Sequence, residues 1–177
     1  MIEINQIQTY LETQKIDGWF LYDFRGSNPY FWRIIGNKFS TTRQCFLFIP
    51  RIGEPQLIVH SIDKLLFQQF SDIIREFHSL AEQRAILSSL LEDMQTIAME
   101  YSENCVIPYV SRIDGGMLDY VRHLGIEVVS SADLFQYTYA RWTLNEYQTH
   151  IRAAEIIGQI KDNAFDFIRD RVNQRQT

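Results

Sequence analysis

Apolar residues follow two spacings along the 177-residue chain. Ile4, Ile7, Tyr10 and Leu11 recur every three or four positions, so residues 2–15 predict an amphipathic helix, which Asp17-Gly18 ends. Residues 19–23, WFLYD, are a short apolar run of the kind found in strands buried on both faces of a sheet. Ser27-Asn28-Pro29 supplies a cap and a proline for the first turn, which predicts a helix through YFWRII to a stop at Gly36. QCFLFIP and QLIVH flank Arg51-Ile52-Gly53-Glu54-Pro55, the arrangement of an antiparallel hairpin. Beyond it the pattern predicts a helix over 62–70, a short strand within DIIREF (72–77) and a helix over 81–94. The strand TIAME (96–100), a helix over 111–125 stopped by Gly125, the strand EVVSS (127–131) and a short helix over 133–139 follow. Strands alternating with helices define an α/β fold, a β-sheet with helices on both faces, and the hairpin makes that sheet mixed.

The last segment differs from the rest. Thr143-Leu144-Asn145-Glu146 has the form of a capping box, with Trp142 and Tyr147 placed to form a hydrophobic staple around it. Leu144, Tyr147, Ile151, Ala154, Gly158, Phe165, Ile168 and Val172 then follow steps of three and four, with Lys161 filling the gap. A second line, Ile157, Ile160, Ala164 and Phe167, runs beside the first and makes the apolar face wider than a two-helix seam needs. Such a helix is roughly 45 Å long at ~1.5 Å per residue, more than a domain of this size requires. The chain therefore divides into residues 1–140 and a long C-terminal connecting helix over 141–177, part of whose face is made for another domain or a second copy.

Composition narrows the function classes. Hydrophobic residues at 46% supply a real core and exclude a disordered chain. Seventeen Lys and Arg against 22 Asp and Glu leave a net charge of −5, which argues against a nucleic-acid or anionic-membrane partner. The N-terminus has no basic, then apolar, leader, and no run approaches the ~18 apolar residues of a membrane span. Cys45 and Cys105 both sit in apolar stretches and are expected as buried free thiols in a reducing, cytoplasmic setting.

Candidate chemistry is sparse. His60, His78, His123 and His150 are scattered, with neither HExxH nor zinc spacing to a cysteine. Glu146 and His150 are four apart, but an exposed helical pair explains them; Asp162, Asp166 and Asp170, with Lys161, Arg169 and Arg171 alongside, read as a solvated stripe. His60-Ser61-Ile62-Asp63 holds triad residue types, but a strand end followed by a helix cap accounts for Ser61 and Asp63. The first strand leads to FRGSNPY, without the glycines of a phosphate-binding loop. No catalytic, cofactor-binding or metal-binding residue is assigned.

The order of these segments carries a resemblance. Residues 28–36 (NPYFWRIIG), 125–129 (GIEVV), 131–134 (SADL), 141–146 (RWTLNE) and 152–154 (RAA) together resemble the N-terminal domain of the creatinase/prolidase/aminopeptidase P metallopeptidases. The bacterial Xaa-Pro peptidase-like branch is nearest, with its counterpart of IPYVSRIDGG at 107–116; Trp142 departs from the lysine usual in many relatives. The resemblance spans essentially the whole chain. It implies a mixed-sheet N-terminal domain whose long helix enters a "pita-bread" catalytic domain. There, two Asp, one His and two Glu hold two divalent metals (Mn, Co or Zn) that activate water against the bond before proline. Nothing here matches those ligands, so this chain is expected to be inactive alone. In relatives this domain contributes to a homodimer and leans over the cleft that takes a proline-containing peptide. Carried over, the candidate substrate rim is Tyr30, Trp32, Arg33, Phe39 and Arg43, aromatics bounding a slot for proline and arginines pairing with a carboxylate. Tyr30, Phe31 and Trp32 are consecutive on a helix, so at least one belongs to the core. The main alternative is a free-standing α/β binding module that self-associates through its last helix. A small-molecule enzyme with a phosphate-bearing cofactor is a third reading, weakened by the missing glycine-rich loop.

Overall fold

The structure, a computed structural model, describes residues 4–174, which fall into two compact units divided between Thr138 and Tyr139. In the first unit, α1 (Ile4–Gln14) leads into β1 (Gly18–Phe24) and α2 (Pro29–Ile35). β2 (Gln44–Pro50), β3 (Gln56–His60), a 3-10 segment (Lys64–Ile73) and β4 (Ile74–Phe77) follow. α3 (Leu80–Leu91), β5 (Thr96–Met99), two 3-10 turns (Glu103–Cys105 and Pro108–Val110), α4 (Gly115–His123), β6 (Glu127–Ser130) and α5 (Ala132–Tyr139) complete it.

The six strands form one sheet in the order β4-β3-β2-β1-β5-β6. β1 and β2 are antiparallel, with Gly18 opposite Pro50 and Phe24 opposite Gln44, and β2 and β3 form the hairpin. β1, β5 and β6 run parallel to one another, as do β3 and β4, so the sheet is mixed. Side chains alternate across a strand, and β1 is buried on both faces as its composition predicts. Phe20, Tyr22, Phe46, Phe48 and Ile58 pack with Leu87, Leu90 and Leu91 of α3 and with Met117 and Val121 of α4. Trp19, Leu21, Cys45, Leu47 and Ile49 alternate with them and are also buried, on the side where α1 lies against β1 and β2, and α2 against β1.

Local chemistry sets the element ends. Asn28 caps α2 by accepting from the N–H groups of Tyr30 and Phe31, Pro29 occupies the first turn, and Gly36 ends the helix at φ 85°, where a Cβ is disfavoured. Asp17 ties three strand ends: its carboxylate accepts from Gln95 N at 2.8 Å and Thr96 N at 3.0 Å, and it pairs with Arg51 at 3.3 Å.

Three expectations shift. The helix expected over 111–125 spans only Gly115–His123, because the Asp114 side chain accepts from Gly116 N and caps it there. The helix expected over 62–70 is a 3-10 segment with non-helical backbone at Phe67 and Phe70, which turns that ring into the core. Cys105 is exposed, not buried: the residues after β5 form 3-10 turns in which Asn104 and Cys105 take φ 49° and 59°, so NCVIPYV does not enter the sheet.

The second unit is dominated by α6 (Leu144–Asn173), 30 residues long. Its capping box forms as the sequence predicts: Glu146 N donates to Thr143 Oγ1 at 3.2 Å and Thr143 N donates to Glu146 Oε2 at 2.8 Å. The rings of Trp142 and Tyr147 lie 6.2 Å apart. No residue of α6 is buried. No helix among the described residues is long and apolar enough to cross a membrane.

Candidate functional site

The parallel strands β1, β5 and β6 end side by side, the position outside the carboxyl ends where open α/β sheets bind ligands. Asp23 lies next to the last residue of β1 and Glu100 follows β5, both fully buried, and Ser131 follows β6, buried as well. Asp23 organises the β1–α2 loop: its Oδ2 accepts from Gly26 N at 2.9 Å, and its Oδ1 from Asn28 N at 2.8 Å and Trp32 Nε1 at 3.0 Å. Glu100 Oε1 accepts from Trp19 Nε1 at 2.5 Å and Ser131 Oγ at 3.3 Å, and its Oε2 from Asn28 Nδ2 at 2.8 Å. Burial pushes the Glu100 carboxyl up to about 7 against the pull of those three donors and of the Glu100 backbone N–H. Asn28 bridges the two acids and also donates to Tyr22 O. Each carboxylate oxygen of Asp23 and Glu100 accepts from at least one of these donors, so the cluster is a closed hydrogen-bond network among the described residues.

The five rim candidates divide around it. Tyr30 is half-buried; its hydroxyl donates to Tyr109 O at 3.2 Å and its ring meets Phe135 at 4.1 Å. Trp32 is 5% exposed; beyond its bond to Asp23 it stacks on Phe67 and meets Phe39 edge-on. Phe39 is half-buried in the same trio, its ring 5.4 Å from Phe67. Arg33 and Arg43 are exposed, and Arg43 donates to Thr42 O at 3.2 Å. The loop that carries Arg43 is pinned by the buried Asp63, whose carboxylate accepts from Thr42 N and Arg43 N. Asp63 therefore holds that loop and makes no side-chain cap to the 3-10 segment it precedes. The structure thus brings Trp32 and Phe39 together, and sets Tyr30 with Tyr109 and Phe135.

Sequence reasoning missed Glu100, Asp23 and Tyr109. The two acids had a readable mark, since both WFLYD and TIAME are apolar strands that end abruptly in a carboxylate. Tyr109 stands 82% exposed and Val106 76%, an apolar tip that the residue pattern alone does not distinguish from a core segment. A shallow pocket of about 260 Å³ beside this loop, bordered by Ser102, Asn104, Ile107 and Asp133 among others, is below the usual size of a small-molecule site.

The remaining candidates are surface or core features. His78 sits 3.2 Å from Glu82 and 3.5 Å from Glu76, which Lys64 also pairs with. Burial pushes the Cys45 thiol far up, which makes it inert as a nucleophile. Glu146 is taken by its cap, and His150 lies against Trp142 at 4.4 Å. Asp162, Asp166 and Asp170 pair with Lys161 and Arg169 on the exposed face. Among the described residues no three His, Cys, Asp or Glu side chains converge as metal ligands would, so the donor set of a metallopeptidase centre does not fit them.

This order of strands and helices is the fold of the creatinase/prolidase N-terminal domain. The solved relatives that share it include the prolidase from Pyrococcus horikoshii OT3, 17% identical, with a TM-score of 0.59 over 92% of this chain and 42% of that one. The creatinase/prolidase N-terminal domain of an X-Pro dipeptidase from Streptococcus pyogenes is 15% identical, with a TM-score of 0.53 over 72% of this chain and 97% of that one. The N-terminal domain of an Xaa-Pro dipeptidase from Lactobacillus brevis is 10% identical, with a TM-score of 0.55 over 76% and 98%. The chain spans about two fifths of the length of the whole Pyrococcus prolidase. No family model matches the sequence, and no curated protein does.

Proposed function

We propose that this chain serves as the non-catalytic N-terminal domain of an Xaa-Pro dipeptidase- or aminopeptidase-like metallopeptidase, acting in dimerisation and in capping the active-site cleft. The observation that supports it most is that the chain matches nearly the full length of two separately solved N-terminal domains of Xaa-Pro dipeptidases. On this reading the metal pair (Mn, Co or Zn), the five ligands and the bond-breaking step belong to a separate catalytic domain, which α6 enters. The protein works as a cytoplasmic homodimer on proline-containing peptides. Arg33, Arg43, Tyr30 and the edge of Phe39 supply the rim, and the buried Trp32 holds that rim in place through Asp23 and Phe67. The exposed apolar residues of α6, among them Ile157 and Phe165, pack on the catalytic domain.

The same exposed face favours a second reading, a free-standing module that self-associates through α6. An immunoblot of source cells with an antibody to this domain separates the two. A band at about twice the 21.0 kDa of this chain supports the peptidase reading, and a band at that mass itself supports the module. On the first reading the purified chain supplied with Mn shows no turnover of an Xaa-Pro dipeptide; turnover by protease-free material would overturn it.

A further inference from the structure

Glu100 is fully buried, and the groups that face it are donors of two kinds. The Trp19 indole nitrogen can only donate. The Asn28 amide is fixed, because its Oδ1 accepts from Tyr30 N and Phe31 N while its Nδ2 donates to Tyr22 O as well as to Glu100. Ser131 is different: a hydroxyl can turn and accept. Of the three side chains bonded to Glu100 only Ser131 can accept from it, so an acid O–H on Oε1 points at Ser131 Oγ.

The surrounding backbone hangs on the same residue. The Glu100 carbonyl accepts from Arg112 N at 2.8 Å and Ile113 N at 3.1 Å, which closes the loop carrying Cys105 and Tyr109. The Ser131 carbonyl accepts from Phe135 N at 2.8 Å, which starts α5. Tyr30 and the two residues it touches, Tyr109 and Phe135, thus stand on three elements that meet around Glu100.

We propose that Glu100 and Ser131 form a proton-operated switch: when the carboxyl gives up its proton, the Ser131 hydroxyl turns from acceptor to donor, and the start of α5 and the loop over 102–110 loosen together. The loosening follows because a charge buried away from water is penalised, and opening the segments around Glu100 lets water reach the carboxylate. Ionisation brings the Ser131 hydrogen back to Oε1, yet the Trp19, Asn28 and Ser131 donors do not make up for the water lost on burial. Burial places the change in the neutral range. The charged groups on the elements around it are Asp23 on β1, Arg33 on α2, Glu103, Arg112 and Asp114 in the loop, Glu127 on β6 and Asp133 on α5. Only Asp23 is buried, and it faces Gly26 N, Asn28 N and Trp32 rather than Glu100. The switch is a property of this chain and stands apart from the peptidase reading.

The test uses the 177-residue chain. Nitrogen-15 NMR follows the Trp19 indole N–H and the amides of 102–110 and 132–135 from about pH 5 to about pH 9. The expected result is one shared step near pH 7. Amide exchange in both segments, corrected for its intrinsic pH dependence, should also be several-fold faster on the alkaline side. Glu100→Gln removes the step everywhere. Ser131→Ala, a smaller change, keeps it at Trp19 and removes it from 132–135. A flat Trp19 resonance, a step that survives Glu100→Gln, or amides of 132–135 that still follow Trp19 in Ser131→Ala would each overturn the proposal.

Discussion

Asp17 and Glu100 respond to acid in opposite ways, for reasons visible around each side chain. Burial works against ionisation of Asp17, but the N–H groups of Thr96 and Gln95 and the charge of Arg51 outweigh it and hold the carboxyl below the ordinary carboxylate range. A folded-state value below the unfolded one adds stability above about pH 4 that is lost as pH falls through the folded value. Asp17→Ala removes the acceptor from two backbone donors that join β1 to β5 and should cost about 1–3 kcal/mol in urea unfolding at neutral pH, with the loss shrinking in acid. Glu100 is raised, mainly by burial, from 4.5 to about 7. Its protonated form favours folding fully below about pH 4.5, and that contribution is lost as pH rises through about 7. At ~1.4 kcal/mol per unit of pKa the change is on the order of 3 kcal/mol. The stability of wild type minus that of Glu100→Gln, measured by urea unfolding at a series of pH values, should therefore fall across that window. A difference that stays level would show that the carboxyl is not raised.

At the scale of elements, two glycines of the same composition class behave differently. Gly36 ends α2 at φ 85° with nothing within 4 Å of the site where a Cβ would stand, so only backbone strain opposes Gly36→Ala, which should cost about 1–2 kcal/mol. Gly115 opens α4 in the ordinary helical region with equally open space, so Gly115→Ala should stabilise by about 0.4–1 kcal/mol. Thermal unfolding of the two single variants reads both signs directly. The stop at Gly36, the caps at Asn28 and Thr143 and the 44–60 hairpin were all legible in the sequence, because each depends on residues within a few positions of one another. The closed network was not. Trp19, Asn28, Glu100 and Ser131 are joined by bonds spanning 81, 72 and 31 positions, and only the strand order β1-β5-β6 brings them together. The rim candidates show the same division. That Tyr30, Phe31 and Trp32 could not all face outward followed from helix geometry, but which ring turns inward was decided by Phe67 and Asp23, from elsewhere in the chain. The apolar stretch NCVIPYV around Cys105 read as the surroundings of a buried thiol. Asn104 and Cys105 instead take left-handed backbone and Cys105 is exposed, while Val110 at the end of the loop is buried, and no periodicity records such a turn.

For the molecule as a whole, the open question is what covers α6. Ile151, Ile156, Ile157, Ile160, Phe165, Phe167 and Ile168 are all exposed. At ~100° per residue they spread over roughly two thirds of the helix circumference, while a surface helix facing one neighbour needs a stripe little more than ~100° wide. Contact with one partner helix would leave much of that surface in water, so a broader body, such as the catalytic domain of the proposed peptidase, suits it better than a two-helix seam. Left without that body, the face should drive self-association of the 177-residue chain. Ile157→Glu combined with Phe165→Glu places two charges within it, at positions 67% and 65% exposed. Neither side chain belongs to the buried core, so the thermal transition of that core should be unchanged, while sedimentation velocity should show the wild-type assemblies dissolving to monomer. If the variant keeps the wild-type assembly, another surface joins the copies. The edge strands β4 and β6 would be the next places to look, since each pairs on one side only.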